Sequence, residues 1–474
     1  MTVAVKPVGD PNAMTVVNGL VRRGRTAQAR FAKANQERVD EAVMALAWAL
    51  YNPAHAKELA ELAVKDTQLG NVHDKIIKKT RKTFGTLRDL LRVKSVGIIE
   101  ENKKLGIVKY AKPVGLVCAI TPSTNPGATP VNKAMMAIKG RNAVIIAPSP
   151  AGMTTTGKTV DYMRAELKKI GLPEDLVQIL PPPASKDMTQ ALMQAADLVV
   201  ATGSQDNVRR AYSSGTPAIG VGTGNVPVIV DETADLDDAA AKICVSKIFD
   251  NSTSCSSENS VILIDSIYDK AIAALERVGG YMASAPEKAK IQAALWPEGK
   301  LSRTLIARDA DVFARGCDLP TAAESKKFFM VEETGVGRGF PFSGEKLSLV
   351  LAVYRAKDFD DAARRAREIL DYQGRGHSVG LHTKDMARGR KLAEETDVVR
   401  VLINQAHTFG NGGGFDNGLN FTLSMGCGTW GGNSITDNLN YKHFLNITHL
   451  VTAIPEDKPS EEALFGAYWN KYGK

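Results

Sequence analysis

The chain has 474 residues, enough for two or three domains with sizeable cores, and its 44% hydrophobic and 24% charged content is ordinary for a soluble protein. No apolar run reaches the ~18 residues of a membrane helix, and the N-terminus lacks the basic and apolar segments of a secretory signal, so the cytoplasm is the expected location. The net charge of +8 is spread rather than blocked and accompanies no nucleic-acid motif, so a solvated basic surface or attraction of anionic small molecules accounts for it.

Residues 1–13 read as a short disordered tail. Helical spacing runs from Met14 to Leu50, then from Pro53 to Asp66, then over 74–92. In the third stretch Ile77, Phe84, Leu87 and Leu91 form an apolar stripe. Lys78, Arg81, Arg88 and Arg92 share another face, either a solvated basic face or an anion site.

Strand patterns follow at Val114–Ile120, Ala143–Ala147, Val177–Ile179, Leu198–Ala201 and Val226–Val230, with helical patterns at Thr155–Ile170 and Met188–Ala195. This alternation predicts a mostly parallel sheet covered on both faces, which binds ligands at the carboxyl ends of its strands. A helix over Asp235–Phe249 leads to the loop Asp250-Asn-Ser-Thr-Ser-Cys255-Ser-Ser-Glu-Asn259. Beyond it a second α/β unit is expected, with strands at Ser260–Ile264, Leu349–Tyr354 and Ser378–His382. Its helices are expected at Tyr268–Met282, Glu287–Leu295, Asp358–Leu370 and Lys384–Glu395.

Five cysteines are present and none forms a C-x-x-C pair, which argues against a metal site. Cys118 and Cys244 sit in apolar sequence and read as core. Cys427, in Gly-Cys-Gly, is ambiguous. Cys255 differs, because small polar residues around it leave room for a substrate. A nucleophilic cysteine needs its thiolate and donors for a developing oxyanion. The Asn125 amide, after a strand end, is a candidate donor, and the Cys255 N–H is a second. The glycine stretch 220–224 is G-x-G-x-G and does not fit the ordinary dinucleotide fingerprint, so a nicotinamide site here must be of another kind.

Several segments, in order, resemble the aldehyde dehydrogenases, and more narrowly the acylating, coenzyme A-dependent branch. They include Tyr110-Ala-Lys-Pro-Val-Gly115, Thr124-Asn125-Pro126, Ala201-Thr-Gly203-Ser204 and Ala211-Tyr-Ser-Ser-Gly-Thr-Pro-Ala-Ile-Gly220. The cysteine loop, Glu345-Lys-Leu-Ser348, Gly374-Arg-Gly-His377 and Gly426-Cys-Gly-Thr-Trp-Gly-Gly-Asn-Ser434 complete the set. The resemblance implies two α/β domains with mostly parallel sheets: a cofactor domain of 1–97 and 114–228, and a catalytic domain of 229–430. A two-part extension, 98–113 and 431–474, would pair subunits into a homodimer or homotetramer.

It further implies that Cys255 attacks an aldehyde and becomes a thioester, that Asn125 holds the oxyanion, and that Glu345 holds the nicotinamide ribose. Thr121, Pro122, Ser149, Thr202, Gly203, Ser204, Gly222 and Gly224 would meet the cofactor, with coenzyme A as co-substrate. Hydrolytic relatives carry a glutamate base 34 residues before the cysteine; here that position is Val221, which cannot activate water. At the adenosine end the aligned positions are Ala147 and Pro150, without the ribose-binding glutamate. The choice leans to NADP, with Ser149, Thr154–Thr156 and Lys158 as possible phosphate donors, and NAD as the alternative.

Arg81 with Ser256 suits a short anionic aldehyde. His377 is a further candidate for the substrate or coenzyme A. Within the branch the sequence is most similar to the sulfoacetaldehyde-oxidising group, with the acylating succinate-semialdehyde and acetaldehyde enzymes as neighbours.

Overall fold

The computed structural model describes residues 11–474. The tail expected over 1–13 lies outside the described residues up to position 10, and positions 11–13 open a helix instead. The single helix expected from Met14 to Leu50 is two, α1 (Pro11–Phe31) and α2 (Gln36–Tyr51). Asn35 causes the break: its side chain accepts the Arg38 N–H and caps α2. Asn52 caps α3 (Pro53–Thr67), with Pro53 in the first turn where no N–H is needed. Asn71 caps α4 (Val72–Leu91).

The faces of α4 are not those its apolar stripe suggests. Phe84 is 50% exposed and Leu91 is also exposed, whereas Lys75, Lys78, Lys79, Thr83 and Leu90 are buried. The reason is tertiary: α4 packs against the loop before Cys255, whose Asp250 carboxylate receives Lys75 and Lys78.

After α4 come β1 (Gly97–Asn102) and β2 (Ile107–Pro113), an antiparallel pair that occupies the first part of the expected extension, 98–113. The next five strands are β3 (Leu116–Ile120), β4 (Ala143–Ala147), β5 (Val177–Ile179), β6 (Leu198–Ala201) and β7 (Ala218–Gly220). They form one parallel sheet in the order β5-β4-β3-β6-β7. Every residue of β3 and β4 is buried, as expected for strands covered on both faces. The covering helices include α5 (Ala128–Lys139), α6 (Met153–Lys169), α7 (Lys186–Ala195) and α8 (Gln205–Tyr212).

The second sheet contains β8 (Val226–Val230), β9 (Glu258–Ile264), β10 (Gly280–Met282), β11 (Phe328–Glu332), β12 (Val350–Ala356), β13 (Gly376–His382) and β14 (Val398–Ile403). Its order is β10-β11-β12-β9-β8-β13-β14, all parallel. Because β8 pairs with β9 and β13, Val226–Val230 belongs to this sheet, and a division after residue 228 falls within the strand. The helix expected over Tyr268–Met282 ends at Arg277, and Gly279 (φ +112°) turns the chain into β10. Each parallel sheet has its own hydrophobic core.

The last strand, β15 (Leu445–Val451), returns to β2 and completes a three-stranded antiparallel sheet. Its Ile447, Leu450 and Val451 are exposed, and the helix Glu461–Tyr472 buries no residue. Among the described residues, no helix is long and apolar enough to cross a membrane.

Candidate active site

Register places the site. In the first sheet Ile120 of β3 lies opposite Ala147 of β4 and Ala201 of β6, so three strands end at one level. The segments that leave those ends carry Thr121 and Pro122, Ser149, and Thr202 to Ser204. Lys133 of α5 donates to Ile120 O at 2.6 Å and Val200 O at 2.8 Å, fastening β3 to β6 beneath them. From β7 the chain runs through Val221–Gly224 into β8, the neighbour of β9. The cysteine loop leads directly into β9. The glycine segment and the cysteine loop therefore run side by side. A Cβ on Gly224 would lie 2.1 Å from Cys255 O, so only glycine permits this approach.

The result is one cleft of ≈ 900 Å³ between the sheets. Thr121, Pro122, Ser149, Thr202, Gly203 and Ser204 line one part of it. Gly222, Gly224, Asn125, Cys255, Ser256 and Glu345 line the other. Two residues behave differently. Arg81 lines a side cavity next to Asn125 rather than the cleft. His377 reaches neither; it is buried at the start of β13, with Nδ1 2.8 Å from Ser378 Oγ. Burial holds its imidazole well below the usual range, with Arg400 and His407 adding to the effect.

The cysteine loop is held in an uncommon backbone. Asp250, Asn251 and Ser252 all have positive φ (51°, 52° and 61°), which costs free energy unless side chains fix it. They are fixed. Asp250 accepts from Lys75, Lys78, the Asn71 N–H and Thr253 Oγ1. Asn251 donates to Asp309 Oδ1 at 2.7 Å. Burial alone would raise the Asp250 carboxyl, but Lys78 and Lys75 outweigh it and hold it below its usual range.

Cys255 is the partly exposed thiol of the five; Cys118, Cys244, Cys317 and Cys427 are buried. Burial pushes the Cys255 thiol up to about 12, with Glu345 and Cys427 adding to the effect and Arg400 opposing it. Burial also raises the Glu345 carboxyl to about 8, with Lys346 opposing. Glu258, close to Cys255 in sequence, turns into the core as the first residue of β9. Its Oε1 accepts the His407 N–H at 3.1 Å, and it does not line the cleft. Val221 does line it, and the lining carboxylates are Asp206 and Glu345.

The residues fit a dinucleotide. Ser149 Oγ and Thr121 Oγ1 are buried without a hydrogen-bond partner, ready to meet a ligand. Lys186 and Arg210 supply cationic charge at that end, and Arg303 lies on the cleft wall. The phosphate donors expected from α6 are turned elsewhere. Thr155 binds Asp66, Thr156 binds Pro126 O, Lys158 pairs with Glu58, and none of Thr154 to Thr156 lines the cleft. Sequence reasoning missed Lys186, Arg210 and Lys82. Lys82 lies four residues after Lys78, on the same face of α4.

Residues 12–286 match the model of the aldehyde dehydrogenase family. The chain is 52% identical to a sulfoacetaldehyde dehydrogenase (acylating) of Cupriavidus necator, over 98% of this chain and 94% of that one. The chain belongs to the aldehyde dehydrogenase family, in its acylating branch. Among solved structures of this family, an acetylating aldehyde dehydrogenase from Geobacillus thermoglucosidasius superposes with a TM-score of 0.90 at 33% identity, covering 96% of this chain and all of that one. A propionaldehyde dehydrogenase from Rhodopseudomonas palustris, with bound coenzyme A and an acylated cysteine, gives 0.81 at 25% identity, covering 92% and 97%. The α/β architecture with parallel sheets expected from the sequence is that of these aldehyde dehydrogenases.

Proposed function

We propose that this aldehyde dehydrogenase oxidises a short anionic aldehyde, sulfoacetaldehyde before others, to its acyl-coenzyme A with NAD(P)+. The observation that carries the reading is the reactive end of the cleft. Cys255 faces it with Asn125 nearby, while the position that would hold a water-activating base is Val221. Acylating succinate-semialdehyde and acetaldehyde oxidation are the alternatives.

Cys255 is the nucleophile. Attack on the aldehyde carbon forms a thiohemiacetal, and Asn125 Nδ2 and the Cys255 N–H donate to its oxyanion. A bound nicotinamide would supply the hydride acceptor for oxidation of this adduct. The polar side chains at the strand ends, with Ser149 and Thr121 first, hold the dinucleotide, and Lys186 and Arg210 complement its phosphates. Glu345 holds the ribose near Cys255. Val221 and the glycines beside it offer no base, so the thioester on Cys255 persists until the coenzyme A thiol takes the acyl group.

Burial raises the Cys255 thiol to about 12, so the thiol is the resting form in the free enzyme. The exposed apolar strip of β15 and the helix Glu461–Tyr472 supports pairing of subunits through this extension.

The test is a single turnover without coenzyme A. Protein mixed with sulfoacetaldehyde and NADP+ should give a burst of about one reduced cofactor per chain, with the acyl mass on the Cys255 peptide. Coenzyme A should then discharge it. Continued turnover in its absence would contradict the reading.

A further inference from the structure

Beside the reactive end of the cleft, a cavity of ≈ 30 Å³ opens toward α4. Its wall includes Lys78, Arg81, Lys82, Asn125 and Ser254, and Lys82, Asn125 and Ser254 also line the cleft. The two spaces therefore meet at Lys82. Three cations in so small a space need anionic charge. Lys78 has it in Asp250. Among the described residues, neither Arg81 nor Lys82 forms an ion pair; Asp416 acts on Arg81 only from beyond ion-pair distance, and no carboxylate acts on Lys82.

The two side chains are nevertheless fixed. The Arg81 guanidinium carbon lies 5.5, 5.1 and 5.8 Å from the ring centroids of Phe409, Phe415 and Phe421, and its Nε is buried without a partner. Lys82 Nζ donates to Gly412 O at 2.7 Å and stands 5.3 Å from the Phe421 centroid. An ammonium has three donors, and Gly412 O uses one. Aromatic rings hold a cation in place but do not neutralise it. Burial without a counter-charge favours the neutral amine of Lys82, and a bound anion would favour its ammonium form again. At about 10–15 Å³ for each water position, the cavity takes a compact head group and not a chain.

We propose that Lys82, backed by Arg81, is the specificity determinant of this enzyme and binds the oxyanion head of the aldehyde, a sulfonate or a group of similar size, while Cys255 meets the carbonyl. This rests on the acylating reading above and names the residue that selects the substrate. The short reach from cavity to Cys255, with Ser254 and Asn125 shared by both spaces, favours a head close to the carbonyl. Removal of Lys82 should therefore change the ranking of aldehydes, not merely the rate.

The experiment uses the purified full chain and Lys82→Met, which keeps the length and loses the charge. kcat/KM is measured with sulfoacetaldehyde and with propionaldehyde, both with coenzyme A, and the readout is their ratio. Loss of one charge-assisted contact should lower that ratio by about 10- to 100-fold. Ethanesulfonate should slow alkylation of Cys255 in the wild type and lose this effect in Lys82→Met. An unchanged ratio with unchanged protection would overturn the proposal, because Lys82 would then act on Cys255 or on folding alone. If the wild type shows no coenzyme A-dependent turnover, the acylating reading falls; the alkylation assay still decides whether Lys82 holds the anion.

Discussion

Lys78 Nζ lies 2.5 Å from Asp250 Oδ2, across 172 residues of sequence, and so ties α4 to the base of the loop that presents Cys255. Lys75 Nζ reaches the same oxygen at 3.1 Å. One buried carboxylate is thus the shared counter-ion of two buried lysines and accepts an N–H and a hydroxyl as well. Asp250→Asn would leave both lysines without a counter-charge. The expected cost is about 3–5 kcal/mol in urea unfolding, together with loss of turnover as the three positive-φ residues relax.

The same contact sets an acid limit. The Asp250 carboxyl is held below its usual value in the fold. Its contribution is therefore fully present above the unfolded value of about 3.9 and is lost as pH falls through the lower folded value. Unfolding midpoints of wild type and Asp250→Asn should differ most near neutrality and converge in strong acid.

Cys255 should be the thiol that reacts in the native protein, since the other four are buried. With the thiol pushed up to about 12, iodoacetamide labelling of the free enzyme should climb roughly tenfold per pH unit from 7 to 9, with no plateau. Peptide mass mapping checks the site. A plateau near neutral pH would mean that the thiolate forms without ligand.

Burial brings the Lys82 ammonium down to about 7, with Arg81 and Lys78 adding repulsion from α4 and Cys255 opposing from its loop. The cationic form needed for an anionic aldehyde is therefore held below that value and lost above it. KM for sulfoacetaldehyde should rise with pH from 7 to 9, while KM for propionaldehyde, which carries no charge, should not follow it. Initial rates at saturating cofactor and coenzyme A measure both.

Why some of this was legible and some was not follows from where the forces act. β3, β4 and β6 are uninterrupted apolar runs, so their burial is written locally. Cys255, Asn125 and the glycine segment stood out as residue types at strand ends, and register brings them together. The faces of α4 were not legible, because periodicity shows that faces exist without showing which one is buried. Asp250 inverts the usual choice from 172 residues away. The same holds for Thr155 and Lys158, whose partners Asp66 and Glu58 lie on α3, and for β1, β2 and β15, which are exposed or half-buried along most of their length and lack a buried apolar run, with β15 returning to β2 from more than 300 residues away.

Val221 offers a gain-of-function test. Val221→Glu would place a carboxylate in the cleft where hydrolytic relatives carry their base. Acid release without coenzyme A should rise by about tenfold or more over the wild-type background. High-performance chromatography of the organic acid reads it directly.

The extension can be tested by charge. Leu450→Glu with Val451→Glu places two carboxylates on the exposed strip of β15. If this strip pairs subunits, light scattering after gel filtration should show a smaller particle than wild type, with an unchanged circular dichroism spectrum.

The most direct measurement is steady formation of reduced cofactor from sulfoacetaldehyde, with and without coenzyme A, on one preparation. The account predicts sustained turnover with coenzyme A and only the initial burst without it, because no residue near Val221 activates water against the Cys255 thioester. Equal sustained rates in both conditions would contradict it.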